Sequence, residues 1–470
     1  MALYIRDGAA IAPGRKGKNE DRLAKKSIRL RNGKKLQFFS VFDGHGGKEA
    51  AEKCVDELHV RVADLLNSSF STILEKDEEE KILKSAVAKA FWDIDDDLGS
   101  QGITAGTTAT TLLLLFNEDS NQPYKAMIAW IGDSIGLCYD VVQGTRFNMT
   151  TRHNPEQDSE MQKLQAIWKL RKKAQRSGRA LLSTTSSQKK IFETLDGSCS
   201  GQTSAIGDRN LSCDDTTIMN DTKDQSGKML SLSEEDEGTQ INNDTAKRSS
   251  PHNSDLDDGS PWDPDFVPIS DRPGLAEDIL HREAKITQSM RNFMRAQSPD
   301  FQELERQDTD VGPRSCCPLT GKPIGPIVVR AAWSNRKGKH IAGASTTVSR
   351  SIGDWDASRA VIPEADFVSW NLPPTENTDH IQFYHRVLLA SDGLWDVLPQ
   401  KRIEFILATT LDPQDACDKL MDDAKKKSIK SGFRTYKDDT ALIIVDIKAN
   451  GALPKMAAAG ASTPCTCNIS

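Results

Sequence analysis

Three short apolar runs in this chain each meet a carboxylate at one end, and that repeated junction limits the folds open to it. Gln37 to Phe42 ends at Asp43-Gly44-His45-Gly46-Gly47, and Val387 to Ser391 ends at Asp392-Gly393-Leu394-Trp395-Asp396. Asp438-Asp439 directly precedes a third run, Thr440 to Val445. Short runs of apolar and aromatic residues bounded by turn residues read as buried strands. A turn displays a carboxylate placed at a strand's end, and the glycines after Asp43 leave room for a close-approaching ligand. An Asp beside an exposed carbonyl is hard oxygen chemistry, suited to Mg²⁺ or Mn²⁺. For Asp43 and His45 taken alone, the plain alternative is a glycine turn with two solvated side chains. Asn19-Glu20-Asp21 adds another acidic pair. Acids thus recur where strands begin or end, which is how an oxygen site for several metal ions is assembled from distant parts of a chain.

Between those junctions, Lys48 to Leu66 and Glu80 to Leu98 carry apolar residues at helical spacing, as do Ile403 to Thr409 and Pro413 to Ile429. Gly106 to Phe116, Ala126 to Ile131, Gly136 to Val142, Thr346 to Ile352, Val387 to Ala390 and Thr440 to Ile447 read as strands. Helices and strands follow in groups without strict alternation, which gives an α+β class. From about residue 156 to 324 the character changes. Met161 to Arg179 is basic and reads as a helix, and 183–270 is rich in Ser, Thr, Asp, Asn and Gly. So little apolar surface cannot offset chain entropy, and disorder is expected there. Leu275 to Ala296 reads as one amphipathic helix. The expected plan is an ordered domain in two parts, 1–155 and 325–449, split by a long, largely disordered insert at 156–324 and followed by a flexible tail at 450–470.

The net charge of −7 gives no reason to expect nucleic acid as a partner. No apolar run is long enough to cross a bilayer, and the N-terminus has no signal-peptide pattern. Nine scattered cysteines show no metal-finger spacing, so reduced thiols in the cytoplasm are expected. The basic stretch Lys169 to Arg179 would suit acidic partners, lipid headgroups or nuclear import factors, or is simply a solvated helix face. Cys467-Asn468-Ile469-Ser470 fits the C-a-a-X prenylation signal, and Cys465 offers a second lipid site, so peripheral membrane attachment through Cys467 is one expectation. A monomer is expected.

Seen in order, Asn19-Glu20-Asp21, Asp43-Gly44-His45-Gly46-Gly47, Gly106-Thr107-Thr108-Ala109, Gly132-Asp133-Ser134, Ser349-Arg350-Ser351-Ile352-Gly353-Asp354, Asp392-Gly393-Leu394-Trp395-Asp396 and Asp438 resemble the motifs of the metal-dependent protein phosphatases of type 2C (PPM family). That resemblance implies a four-layer α-β-β-α sandwich of two antiparallel sheets, with two Mg²⁺ or Mn²⁺ ions at one edge and a weaker third. It implies hydrolysis of phosphoserine and phosphothreonine in phosphorylated proteins, by direct attack of a water or hydroxide bridging the two ions. Asp43 would bridge them, Gly44 would contribute its backbone oxygen and Glu20 would serve one ion. Asp392 and Asp438 would hold the other. Asp21 would orient bound water, and Asp133 and Asp396 would join Asp392 around the third ion. His45 would be the general acid, a task its ordinary pKa near 6.5 suits. No cysteine nucleophile is needed, and the Cys-and-Arg phosphate loop of cysteine phosphatases is absent.

The sequence departs from the resembled pattern at four places. Lys16, with Arg15 beside it, stands where an Arg usually grips the substrate phosphate, and Lys binds phosphate as a point charge without the bidentate fork. Ile135 replaces an Arg, Arg152 an Asp, and Asp439 an Asn. The insert falls where the family carries a flap beside the active site. A second reading follows from Lys16: a catalytically weak phosphatase-like scaffold that binds phosphoproteins through the insert.

Overall fold

Alternation along the strands decides the architecture. In β3 (Lys35–Phe42), Leu36, Phe38 and Phe42 pack on one side while Phe39 and Val41 pack on the other, and all five are buried. In β6 (Ala109–Phe116), Leu113 and Leu115 share the first side, and Leu112 and Leu114 the second. A sheet apolar on both faces must be covered on both.

A computed structural model describes residues 4–69, 76–117, 123–169, 304–316, 323–335, 340–355, 357, 360–372 and 384–448, together with Leu275, Asp278 and Ile279. The remaining strands of the first sheet are β2 (Arg22–Arg29), β7 (Pro123–Ile131) and β13 (Asp366–Asn371), in the order β13-β7-β6-β3-β2. The second sheet is built from β1 (Tyr4–Ala12), β8 (Ile135–Asp140), β9 (Thr145–Met149), β14 (Tyr384–Ala390) and β15 (Thr440–Lys448), in the order β1-β15-β14-β8-β9. Every neighbouring pair in both sheets is antiparallel, and the two-residue strands β4 (Gly44–His45) and β5 (Gly106–Thr107) form a short antiparallel pair of their own. The inner faces meet where Phe39, Val41, Leu112, Leu114 and Ile128 pack against Val387, Leu389, Ile443 and Val445.

Helices α1 (Glu49–Ser69) and α2 (Lys76–Ser100) cover the first sheet through Leu58, Val62, Leu66, Phe91 and Ile94. The second sheet is covered by two later helices, Gln400–Thr409 and Pro413–Lys430, through Ile403, Leu407, Leu420 and Ala424. The result is the expected four-layer α-β-β-α sandwich. Register places one set of strand ends together: Val41 pairs with Thr110, Ala109 with Ile131, and Ala390 with both Ile135 and Leu442. The C-terminal ends of β3, β7 and β14 and the start of β15 therefore share one edge.

The structure differs from the sequence reading in three respects. Thr346 to Ile352 is not a strand: β12 (His340–Thr346) ends at Thr346, and only Ile352 makes an isolated bridge, to Thr107. Between them, Ser349 and Arg350 turn onto buried Glu160, with the Ser349 hydroxyl 2.6 Å and the Arg350 Nε 2.9 Å from Glu160 Oε2. Side chains committed to that ion pair cannot follow a strand's alternation. Second, β10 (Leu304–Cys316) lies inside the segment expected to hold disorder and helices. Its sequence is largely polar, and its strand form comes from antiparallel pairing with β11 (Pro323–Asn335), itself paired to β12. Third, β1, β2, β9 and β13 have no counterpart in the sequence reading.

Helix α3 covers 158–169, and Leu275, Asp278 and Ile279 are helical. The remainder of the 170–303 segment, with its expected disorder, lies outside the described residues, as do Cys465, Cys467 and the C-terminal lipid signal. No helix among the described residues is long and apolar enough to cross a membrane. The core predicts a test of the packing: Ile443→Ala, in the centre of the inter-sheet face, should lower stability by about 2–5 kcal/mol, read as an earlier urea midpoint with an unchanged slope.

Candidate metal centre

At the shared edge, the carboxylates of Asp43, Asp133 and Asp392 offer oxygens that all lie within 4.8 Å of one another. Asp43 follows the last residue of β3, Asp133 follows Gly132 at the end of β7, and Asp392 opens the short helix α4 (Asp392–Trp395) just after β14. Both sheets contribute, so the packed core fixes the separation. Two unit charges this far apart repel by roughly 3 kcal/mol at an effective dielectric constant near 20. Burial pushes the Asp43 carboxyl well above its ordinary range, and the charges of Asp21, Asp392, Asp133 and Asp438 push it further. Burial does the same to Asp392, followed by Asp133, Asp396 and Asp438.

Asp21 is fully buried behind this group. Its Oδ2 accepts a hydrogen bond from the Ser391 hydroxyl at 2.8 Å, while Oδ1 has no hydrogen-bond partner among the described residues. Burial pushes this carboxyl up to about 7, with Asp439 and Asp438 adding to the shift. Asp438 and Glu20 are not members of the 4.8 Å group, though the charge of Asp438 acts on Asp43, Asp392 and Asp21. Glu20 meets the site through its backbone: a Cβ added to Gly44 would sit 2.5 Å from the Glu20 carbonyl oxygen. Only glycine allows that approach.

Asp439 has a role that sequence reasoning missed. Its two carboxylate oxygens accept the backbone N–H groups of Gly14 at 2.6 Å and Glu20 at 2.8 Å, clamping the 14–20 loop to the start of β15. An Asn offers one acceptor oxygen where this clamp uses two, which was the available signal. The clamped loop carries Arg15 and Lys16, both exposed and without a hydrogen bond or ion pair among the described residues.

The sequence reading makes His45 a candidate general acid and gives Asp354 no role at the site. The structure joins them: His45 Nε2 lies 2.6 Å from Asp354 Oδ2, which also accepts the Ser351 hydroxyl at 2.5 Å. Burial alone would lower the His45 pKa, but the Asp354 carboxylate outweighs it and holds the ring above its ordinary value. Asp354 has a φ of 54°, the one left-handed non-glycine residue among those described. Asp396 stands apart from the acid group. Its Oδ1 pairs with Arg152 at 2.8 Å and its Oδ2 with Lys437 at 3.4 Å, and its charge acts on Asp133 and Asp392 from outside the 4.8 Å group.

The donor set fits a hard divalent cation. Every offered group is oxygen, and among the described residues no cation ion-pairs with the three acids at the centre and one buried oxygen of Asp21 has no partner. Metal-free protein should therefore become less stable as pH rises. Folded-state pKa values raised above the unfolded 3.8 contribute stability that is complete below that value and lost as pH climbs through the folded one, about 7 for Asp21. Thermal melts in a chelator should show the midpoint falling between pH 5 and 8, and Mn²⁺ at pH 8 should restore it.

Comparison with known proteins adds identity to geometry. The family model of protein phosphatase 2C matches residues 11–167 and 338–431. Over 158 residues the chain is 32% identical to "Probable protein phosphatase 2C 15" of Arabidopsis thaliana, an alignment covering 33% of each chain. It is 32% identical over 161 residues to "Protein phosphatase 1K, mitochondrial" of Xenopus laevis, covering 33% of this chain and 37% of that one. The chain thus spans about a third of the length of the curated relatives it matches. Among solved structures, the serine-threonine phosphatase 2C from Toxoplasma gondii aligns over 94% of this chain and 95% of its own, with a TM-score of 0.46 and 12% identity.

Proposed function

The chain belongs to the protein phosphatase 2C family, and we propose that it is a protein-serine/threonine phosphatase dependent on Mg²⁺ or Mn²⁺. The observation that carries this reading is the group formed by Asp43, Asp133 and Asp392 at the strand ends, with His45 near enough for its charge to act on Asp133. Asp43, Asp392 and Asp438, with Glu20 and the Gly44 carbonyl, are the residues assigned to hold two ions. When bound, such ions lower the pKa of a water and offset the charge of the phosphate it attacks.

The chain's own residues supply the remaining steps. Lys16 and Arg15 project from the loop that Asp439 clamps and attract the phosphate dianion. His45 donates its Nδ1 proton to the departing serine or threonine oxygen, and Asp354, hydrogen-bonded to Nε2, keeps the ring protonated and aimed until then. Asp21, with its unpartnered Oδ1, orients the attacking water, and Ser391 fixes its other oxygen. Water rather than a side chain is the nucleophile in this scheme. Burial pushes the thiols of Cys54, Cys138 and Cys417 up, which leaves these three inert at neutral pH.

Phosphopeptide hydrolysis should require Mg²⁺ or Mn²⁺, and Asp43→Asn should lower kcat/KM by at least about 10³-fold. Equal rates for wild type and Asp43→Asn in saturating Mn²⁺ would favour the scaffold reading instead. His45→Ala should cost about 10²–10⁴-fold in kcat. Activity that needs protonated His45 falls as pH rises through that residue's pKa. Asp354→Asn removes the charge that raises it, so the alkaline limb of the rate profile should move to lower pH.

A further inference from the structure

Beside the acid group stand two cations, both paired to Asp396. Arg152 Nη1 lies 2.8 Å from Asp396 Oδ1, and Lys437 Nζ lies 3.4 Å from Asp396 Oδ2, so both oxygens of this carboxylate face a positive charge. Asp396 closes helix α4, one turn after Asp392, and its backbone N–H donates to the Asp392 carbonyl at 2.8 Å. Arg152 precedes buried His153, whose backbone N–H donates to the Gly132 carbonyl at 2.8 Å, next to Asp133. His153 Nδ1 in turn accepts the Gly132 N–H at 3.2 Å. Lys437 immediately precedes Asp438, and its backbone N–H donates to the Ser428 hydroxyl at 3.2 Å.

The cations thus sit on segments tied to two of the acids at this edge. Neither relies on a long side chain reaching across the surface from elsewhere. The charge of Arg152 is felt at Asp133 as well as at Asp396.

We propose that Arg152, backed by Lys437, takes the place of a third divalent ion between Asp133, Asp392 and Asp396, so that this centre binds two ions and excludes a third. The proposal rests on the reading of the acid group as a metal centre. An ion entering there would have to break both ion pairs of Asp396 and remain beside a guanidinium, which stays charged at every working pH. Arg152 supplies positive charge at this rim permanently, where an ion would supply it only at sufficient concentration. It cannot activate water, so its contribution is neutralisation and positioning. The consequence is a phosphatase whose metal requirement is met once the two tight positions fill.

Mn²⁺ binding to the full chain, followed by calorimetry and by the EPR signal of free Mn²⁺, tests this without any turnover. The wild type should show its tight binding events and no further one into the millimolar range. Arg152→Asp should gain one additional weak ion per chain, bound at least about tenfold more tightly than any such event in the wild type. Arg152→Ala should gain the same ion more weakly. The double variant Arg152→Asp/Asp396→Asn should lose the added ion and keep the tight ones. A weak third event already present in the wild type and abolished by Asp396→Asn would overturn this proposal alone, as would failure of both Arg152 variants to gain an ion. Absence of the tight events in the wild type would overturn the metal-centre reading along with it.

Discussion

Carboxylates that repel one another at the ends of buried strands are the constraint on which this structure turns. Asp43, Asp133 and Asp392 are held together by a core that cannot let them separate, since each follows or lies close to a strand end in one of two packed sheets. Among the described residues no cation forms an ion pair with these three carboxylates, although the charges of Arg152 and His45 act on Asp133. Ser391 offers Asp21 one hydrogen bond, and Arg152 and Lys437 bring positive charge to the rim through Asp396. Acids inside and cations outside is the arrangement expected of a site that receives divalent ions from solution and a phosphate dianion after them.

Other buried acids in the same fold behave in the opposite way, which separates architecture from function. Against the upward push of burial, Arg350 and its neighbours hold Glu160 down at about 2, and the carboxylate is saturated by Arg350 and Ser349. Asp446, fully buried, is matched by Arg386 at 2.7 Å and by the Tyr384 hydroxyl. These acids have their partners in the chain and need no ligand. Burial and the charges of neighbouring carboxylates push Asp21, Asp43 and Asp392 up instead, opposite to Glu160.

Much of this was legible in the sequence, for identifiable reasons. Strands buried on both faces, such as β3, β14 and β15, are continuous apolar runs, and the acids that end them are conspicuous by contrast. Strands at a sheet's edge, such as β2 and β9, carry too many polar residues to stand out, and β10 is a strand because of its partner. Asp43, Asp392 and Asp133 converge as their motifs implied. The partners that position them were harder to see. Asp354 meets His45 across some three hundred residues, and Asp439 looked like a change of charge until its two hydrogen bonds placed it as a clamp. Asp396 matches a metal position by motif, and nothing in the sequence signals that Arg152 pairs with it across 244 residues.

The account stands on divalent ions seated among these particular acids. Anomalous diffraction from crystals soaked in Mn²⁺ measures that directly. Peaks within coordination distance of Asp43 and Asp392, absent in Asp43→Asn crystals, are the result the account predicts. Well-diffracting crystals with millimolar Mn²⁺ and no peak at those carboxylates, or with peaks only elsewhere on the surface, would contradict it.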